Sequence, residues 1–380
     1  MSDEQNDNYS LIAHGSQPRV LLLCKEASWT LLQHTVTNPD EINAAMKAQL
    51  GLTTTVLSCV YDRYKGEERE DQHCVYALEN HSPNVALPAN GRWIEQSELT
   101  NLSLAVPEHR AVLEAWFDGG AKRERQEQKS PWESLGWFAT ATVWIHEQLT
   151  RLGYTSSAPF EQVRTNFWST ALRVPTTTGN LYFKASASVF AFEPVLTETL
   201  SRLVPAHVPP VLVVDRQRHW MLMRDGGVPF RSGPHDPDRS VEEIRQYAEL
   251  QIALAPHVET LKATGCPDQR LHLLPRLYEE VLAATPLLHI GEEKGLPRHE
   301  YEQLLAYTPQ LKSLCDELAS YPIPESLEHD DLHTGNVLGD YSPCINAGAS
   351  WGKPTRCNPT AVMFMAAFRS RSITRRQQGQ

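Results

Sequence analysis

The stretch His329-Asp330-Asp331-Leu332-His333-Thr334-Gly335-Asn336, followed by Val337 and Leu338, constrains this chain more than any other. It sets an Asp and an Asn five positions apart, with a His two before the Asp. The spacing H-x-D-L-x-x-x-N suits one kind of chemistry. Transfer of a phosphoryl group needs a carboxylate facing the attacking hydroxyl and an amide oxygen holding Mg²⁺ beside the leaving phosphate. A short loop bridges those two points. The plain alternative is a polar turn before a strand, in which Asp331 and Asn336 bond to nearby backbone.

A chain of 380 residues has room for two or three domains. Its 41% hydrophobic content supports packed cores rather than a disordered chain. A net charge of −11 argues against a nucleic-acid partner, which requires a basic face. No run of eighteen apolar residues occurs, so no membrane span is expected. The acidic, polar start is unlike a signal peptide. The seven cysteines are scattered and form no C-x-x-C pair, which indicates neither zinc nor a disulfide framework. A reducing cytoplasm is the simplest setting.

Residues 118–131 are charged and nearly free of apolar side chains, as a linker between domains would be. Before them, 19–23 and 53–57 are strand-like, and 107–117 is helix-like with Pro107 at its start. After them, 133–152 has helical spacing, with Leu135, Phe138, Val143, Ile145, Leu149 and Leu152 recurring. Segments 168–174 and 181–185 flank a turn containing Gly179 and form a hairpin signature. Residues 208–215 and 220–223 add two strands. From Ser240 the pattern turns helical, with Ser240 and Glu243 at capping-box spacing and Pro256 as a stop. Residues 301–318 form a further amphipathic helix. Strands followed by helices give an α+β order.

Lys184 ends an apolar strand beside Tyr182 and Phe183, where alternation would otherwise bury it. In protein kinases that place belongs to the lysine of V-A-I-K, which neutralises the nucleotide phosphates. Nine residues on, Glu193 opens a helix-like segment and is placed to pair with Lys184. The plain readings are a surface strand lysine and a first-turn acid favoured by the helix dipole.

The octapeptide 329–336 resembles the loop of the aminoglycoside phosphotransferase family, H-G-D-L-H-x-G-N, with Asp330 where that family often has Gly. The stretch from Trp168 to Pro194 resembles the small lobe of the same family, through L-R-V-P, F-K-A and F-E-P. Segments 247–251 and 268–271 are similar to its large lobe. The resemblance implies that Asp331 is the catalytic base, His329 a support for the loop and Asn336 a Mg²⁺ ligand. It implies that Lys184, held by Glu193, binds the ATP phosphates, and that backbone near Met223 meets the adenine at an interlobe hinge.

The pattern breaks after the loop. The family normally carries I-D-W-G-D a little over a dozen residues past the Asn, and the Asp is the second Mg²⁺ ligand. Here Trp351 and Gly352 remain, Ser350 stands at the Asp position and Lys353 at the second acid. Asp340 is the nearest substitute carboxylate. Residues 341–380 hold six Lys and Arg but no Asp or Glu, a switch that reads as a tail altered, truncated or shifted in frame.

The first domain resembles a Nudix fold through its strand order, Leu50-Gly51-Leu52 and the closing 92–94 and 107–117 elements. Placing Gly51 on the Gly of R-E-x-x-E-E-x-G puts Ala44, Ala45, Ala48 and Gln49 on the Arg and Glu positions. Active Nudix members bind Mg²⁺ through those glutamates, so this domain is expected not to hydrolyse pyrophosphates. The same segment also reads as a small docking or ligand-sensing domain. His333 and His329 are four apart but lack H-E-x-x-H, so zinc is not expected.

The expected architecture is therefore α+β. A Nudix-like domain (1–118) and a linker (119–131) precede a two-lobed protein-kinase-like fold, with a β-rich small lobe (132–227) and a helical large lobe (228–338). A basic tail (339–380) follows. The expected function is ATP- and Mg²⁺-dependent phosphoryl transfer to a hydroxyl of a small molecule. The alternative is a non-catalytic kinase-like scaffold. Substrate identity and oligomeric state are not legible in the sequence.

Overall fold

A computed structural model describes residues 7–14, 19–65, 71–82, 84–119, 129–229, 237–292, 295–329, 332, 336–339 and 361–362. The chain begins with β1 (Asp7–His14), β2 (Arg19–Lys25), β3 (Ser28–Thr30), β4 (Leu32–His34), α1 (Pro39–Leu50), β5 (Thr54–Lys65), β6 (Asp71–Asn80), β7 (Gly91–Glu95), α2 (Gln96–Leu99) and α3 (His109–Phe117). It continues with α4 (Trp137–Leu152), β8 (Glu161–Thr165), β9 (Ser169–Thr176), β10 (Gly179–Ser186), α5 (Glu193–Leu203), β11 (Val211–Asp215) and β12 (Trp220–Arg224). Then come β13 (Val228–Pro229), α6 (Pro237–Leu254), α7 (Val258–Lys262), α8 (Leu274–Ala283), α9 (Thr285–Leu288), α10 (Arg298–Ala319), β14 (Val337–Gly339) and β15 (Ala361–Val362). The architecture is α+β. Two compact units divide the chain, the first comprising residues 1–189 and 217–223 and the second 190–216 and 224–380. The cut falls elsewhere than the lobe boundary at 227, because α5 packs its Leu196 and Leu200 with Leu250, Leu254 and Leu327 of the second unit.

In the first unit the strands run β3-β2-β1-β6-β5, with β4 pairing β1 and β7 pairing β2. The β1–β6 pair is parallel, and the β5–β6 pair is antiparallel with bulges at Val56/Ser58 and Cys59/Tyr61. Strand β1 is buried on both faces. Tyr9 and Leu11 pack with Val112 and Leu113 of α3. Ile12 packs on the opposite face with Ile42, Met46 and Leu50 of α1. Two helices thus sandwich the sheet, which explains why β1 carries apolar side chains in succession. Helix α1 ends at Gly51, whose φ of 69° is the left-handed turn that favours glycine.

Also in this unit, β12, β10, β9 and β8 lie side by side in that order. Helix α4 covers one face. Its Trp144 meets Phe183 at 5.7 Å and Trp220 at 5.5 Å, both edge-on. The helix starts at Trp137 rather than Glu133, and its inner face is Ala141, Trp144, Ile145 and Leu149. Val143, expected inside, is 59% exposed.

The two sheets are joined side chain to backbone. Strand β5 is the edge of its sheet, and Gln162 of β8 satisfies it by accepting from the Val56 N–H (2.7 Å) and donating to the Val56 carbonyl (2.9 Å). Asn43 of α1 donates to Gln162 Oε1 at 3.3 Å. The Gly136 N–H, at the start of α4, donates to Glu79 Oε1 of β6 at 2.7 Å. A carboxylate there also complements the helix dipole.

In the second unit, α5, α6 and α7 enclose a core of Leu196, Leu200, Leu250, Leu254, Leu261 and Leu327. Pro256 ends α6 at Leu254, as expected, while its first turn begins three residues before Ser240. Strand β14 pairs antiparallel with β13 and with β15. Among the described residues no helix is long and apolar enough to cross a membrane.

Candidate functional site

Lys184 lies in β10 opposite Ala171 of β9. Strand side chains alternate, so Lys184 shares a face with Tyr182, and Phe183 turns to the α4 side. In β12, Trp220 meets Phe183 at 5.4 Å on the α4 side. Alternation then puts Met221 and Met223 on the face that carries Lys184. The structure therefore brings two sequence-predicted residues, Lys184 and Met223, to one face of one sheet. Lys184 is 6% exposed, and Met223 is buried. Lysine is almost never so buried unless its ammonium is satisfied.

Glu193 is the first residue of α5, in the second unit, and is 3% exposed. Thr197 Oγ1 donates to the Glu193 carbonyl at 2.8 Å, within the first helical turn.

The loop expected to do the chemistry is held from α6. Tyr247 Oη accepts from the His329 backbone N–H at 2.8 Å and donates to Glu328 Oε1 at 3.0 Å. Gln251 Nε2 donates to the Leu327 carbonyl at 3.1 Å and to Glu328 Oε2 at 3.3 Å. Ser326 Oγ donates to the Gln251 carbonyl at 2.6 Å. Leu327 and Leu332, five positions apart in sequence, both pack in the α5–α6 core. His329 and Asn336 are both fully buried, and β14 follows Asn336 directly. Asp331, the expected base, lies outside the described residues, as do His333, Asp340, Ser350 and Lys353.

For Mg²⁺, Asn336 is the one expected ligand among the described residues. No group of three or more His, Cys, Asp or Glu side chains able to hold a metal occurs among them. Besides β13, β14 pairs with Ala361–Val362, which lies past the Trp351-Gly352 remnant in sequence.

In α1, Ala44, Ala48 and Gln49 are exposed, so the helix shows solvent a surface without carboxylates at those positions. Two arrangements escaped the sequence reading. One is the Gln162 link, because no local pattern marks an amide that bonds 106 positions away. The other is a histidine pair, His73 Nε2 and His109 Nε2 at 3.1 Å, packed against Tyr9. His109 is 2% exposed, and burial, with His73 beside it, depresses its pKa to about 4.

No family profile and no curated protein matches the sequence. Solved structures do resemble part of it. The solution structure of the E. coli ORF135 protein is 15% identical with a TM-score of 0.25, covering 34% of this chain and 99% of that one. A NUDIX hydrolase from Nitrosomonas europaea is 11% identical with a TM-score of 0.24, covering 30% and 72%. A putative nudix hydrolase family member from Chromobacterium violaceum is 15% identical with a TM-score of 0.25, covering 40% and 98%.

Proposed function

We propose that this chain is built as an ATP-dependent phosphotransferase acting on a hydroxyl of a small molecule, with a protein-kinase-like pair of lobes following a non-hydrolytic Nudix-like domain. The observation that carries the reading is the burial of Lys184 to 6% exposure in a strand beside the one that bears Met223. A buried ammonium suits a phosphate-binding role, since it is desolvated and fixed before the anion arrives. In this reading Glu193 fixes Lys184, Asn336 holds Mg²⁺ and Asp331 orients and deprotonates the substrate hydroxyl. When bound, Mg²⁺ neutralises charge on the transferred phosphate. Tyr247 and Gln251 hold residues 327–329 just before the loop, so that Asp331 follows a fixed segment.

A second reading, a non-catalytic kinase-like scaffold, is favoured by the absence of any carboxylate from residues 341–380, where the second metal ligand is expected. Titration calorimetry with an ATP analogue tests the nucleotide site common to both. Weak binding is expected, and Lys184→Met is expected to weaken it at least tenfold. No heat from a parent protein that circular dichroism shows to be folded sinks the nucleotide site. Phosphate transfer then separates enzyme from scaffold.

A further inference from the structure

The second bulge of β5 brings two thiols together. Cys59 is opposite Tyr76 of β6, Tyr61 is opposite Val75 and Asp62 is opposite Cys74, which leaves Val60 as the extra residue. Val60, Tyr61 and Val75 pack in the α3-side core, and Tyr76 packs in the α1-side core. Residues directly opposite share a face, so Cys59 lies on the α1 side with Tyr76. Alternation along β6 puts Cys74 on that side too. A regular strand would set residue 61 on this side, opposite Cys74. The bulge turns Tyr61 to the other side, and Asp62 takes the place. The Cys59 sulfur turns along the strand toward that place. It donates to the Tyr61 carbonyl at 3.2 Å and shares a hydrogen bond with the Cys74 thiol. Cys59 is exposed, whereas Cys74 is 1% exposed.

We infer that Cys59 and Cys74 form a reversible oxidation site, closing to a disulfide that clamps β5 to β6 when a peroxide is present. The sulfur of Cys59, the exposed residue, attacks one peroxide oxygen as the thiolate. The O–O bond breaks, hydroxide leaves and takes up the thiol proton as water, and Cys59 becomes a sulfenic acid. Cys74 then attacks the Cys59 sulfur, the S–O bond breaks, and the second water leaves with the Cys74 proton. Two thiols have lost two hydrogens, and the peroxide has been reduced to two waters. Thiols already in hydrogen-bond contact need only a small approach to reach an S–S bond of about 2 Å. Their surroundings make the first step slow. The hydrogen bond with Cys74, burial of the sulfur and the Asp62 carboxylate push the Cys59 thiol well above its usual range, and only the thiolate reacts. The pair is thus suited to sustained oxidation rather than to rapid peroxide turnover. What it clamps is the joint between the two sheets of the first unit. Strand β5 receives Gln162 at Val56, and β6 carries Glu79 to the start of α4. A pair that rests reduced and closes on oxidation also fits a chain without a disulfide framework.

The test treats the full chain, reduced and then freed of reductant, with hydrogen peroxide, followed by alkylation and tryptic digestion without reductant. Residues 48–63 are expected joined to residues 70–92, lighter by two hydrogens than the separate peptides and parted by dithiothreitol. The reaction is expected to be slower than that of free cysteine in the same peroxide. In Cys74→Ala, Cys59 is expected to accumulate as the sulfenic acid, trapped by dimedone, with little adduct in the parent. The oxidised parent is expected to melt about 3–10 °C higher, as closure of a loop of about 15 residues implies. Cys59→Ser, a change at an exposed residue, is expected to show no such rise. A treated parent, native by circular dichroism, in which Cys59 is still a thiol, has become a sulfinic acid or is bonded to another cysteine overturns the inference. So does a linked pair that melts no higher than the reduced chain, which denies the clamp.

Discussion

Gln162 acts as a strand reduced to one side chain. An edge strand shows unpaired N–H and C=O groups, and a carboxamide offers the matching donor and acceptor. Gln162→Leu leaves both Val56 groups buried without their partner, at about 1–3 kcal/mol each, so a loss of roughly 2–6 kcal/mol is expected. Urea unfolding of the full chain measures it, and a loss below about 1 kcal/mol denies the link its structural weight. His109 makes a pH prediction. Its folded pKa of about 4 lies below the ordinary value of 6.5, so the unfolded chain takes up more protons between those limits. The stability is present above pH 6.5 and is lost as pH falls toward 4. His73 faces His109 from β6, Tyr9 from β1 and Tyr61, through His73, from β5, while Glu108 alone among its neighbours favours the proton. The full shift is worth on the order of 3 kcal/mol at 1.36 kcal/mol per pH unit. Melting temperatures at pH 7 and pH 4.5 are expected to converge in His109→Gln, and an unchanged difference contradicts the assignment.

At the scale of elements, local patterning and long-range satisfaction were unequally legible. The β9–β10 hairpin was readable because Gly179, with φ of 117°, sits in the turn and apolar alternation flanks it. The start of α4 was not. Its first turn is set by Glu79, 57 positions earlier, so the helix begins at Trp137. Strand β1 was missed because burial on both faces removes the period-two signal. In the loop, sequence supplied His329 and Asn336 but not their support, since Tyr247 is an ordinary helix residue until its hydroxyl is seen to meet the His329 N–H. Tyr247→Phe removes that acceptor from a part-buried amide. A cost of about 1–3 kcal/mol is expected, which is roughly 5- to 150-fold faster hydrogen exchange at His329. Exchange unchanged at His329 but faster throughout α6 shows that the hydroxyl serves the helix instead.

At the scale of the whole molecule, the acids and the cations are distributed against the proposed chemistry. All 46 Asp and Glu residues precede residue 341, while the segment where a second Mg²⁺ ligand is expected carries only Lys and Arg. A neutral Ser350 is a poor ligand for a hard cation. Loss of one pre-organised electrostatic group from a transition state costs on the order of 3–4 kcal/mol, or roughly 100- to 1000-fold in rate. The chain is therefore expected to transfer phosphate far more slowly than the 1 per second or more of ordinary kinases. Turnover at the ordinary rate places the metal carboxylate elsewhere and refutes the register on Ser350. If turnover is absent, replacing residues 339–380 by a tail carrying D-W-G-D is expected to restore it. Ser350→Asp alone is not, because one carboxylate leaves the rest of the I-D-W-G-D pattern, Lys353 in place of the second acid included, unrestored. Rescue by the single substitution shows instead that the surrounding basic segment is already in place and lacks only the charge.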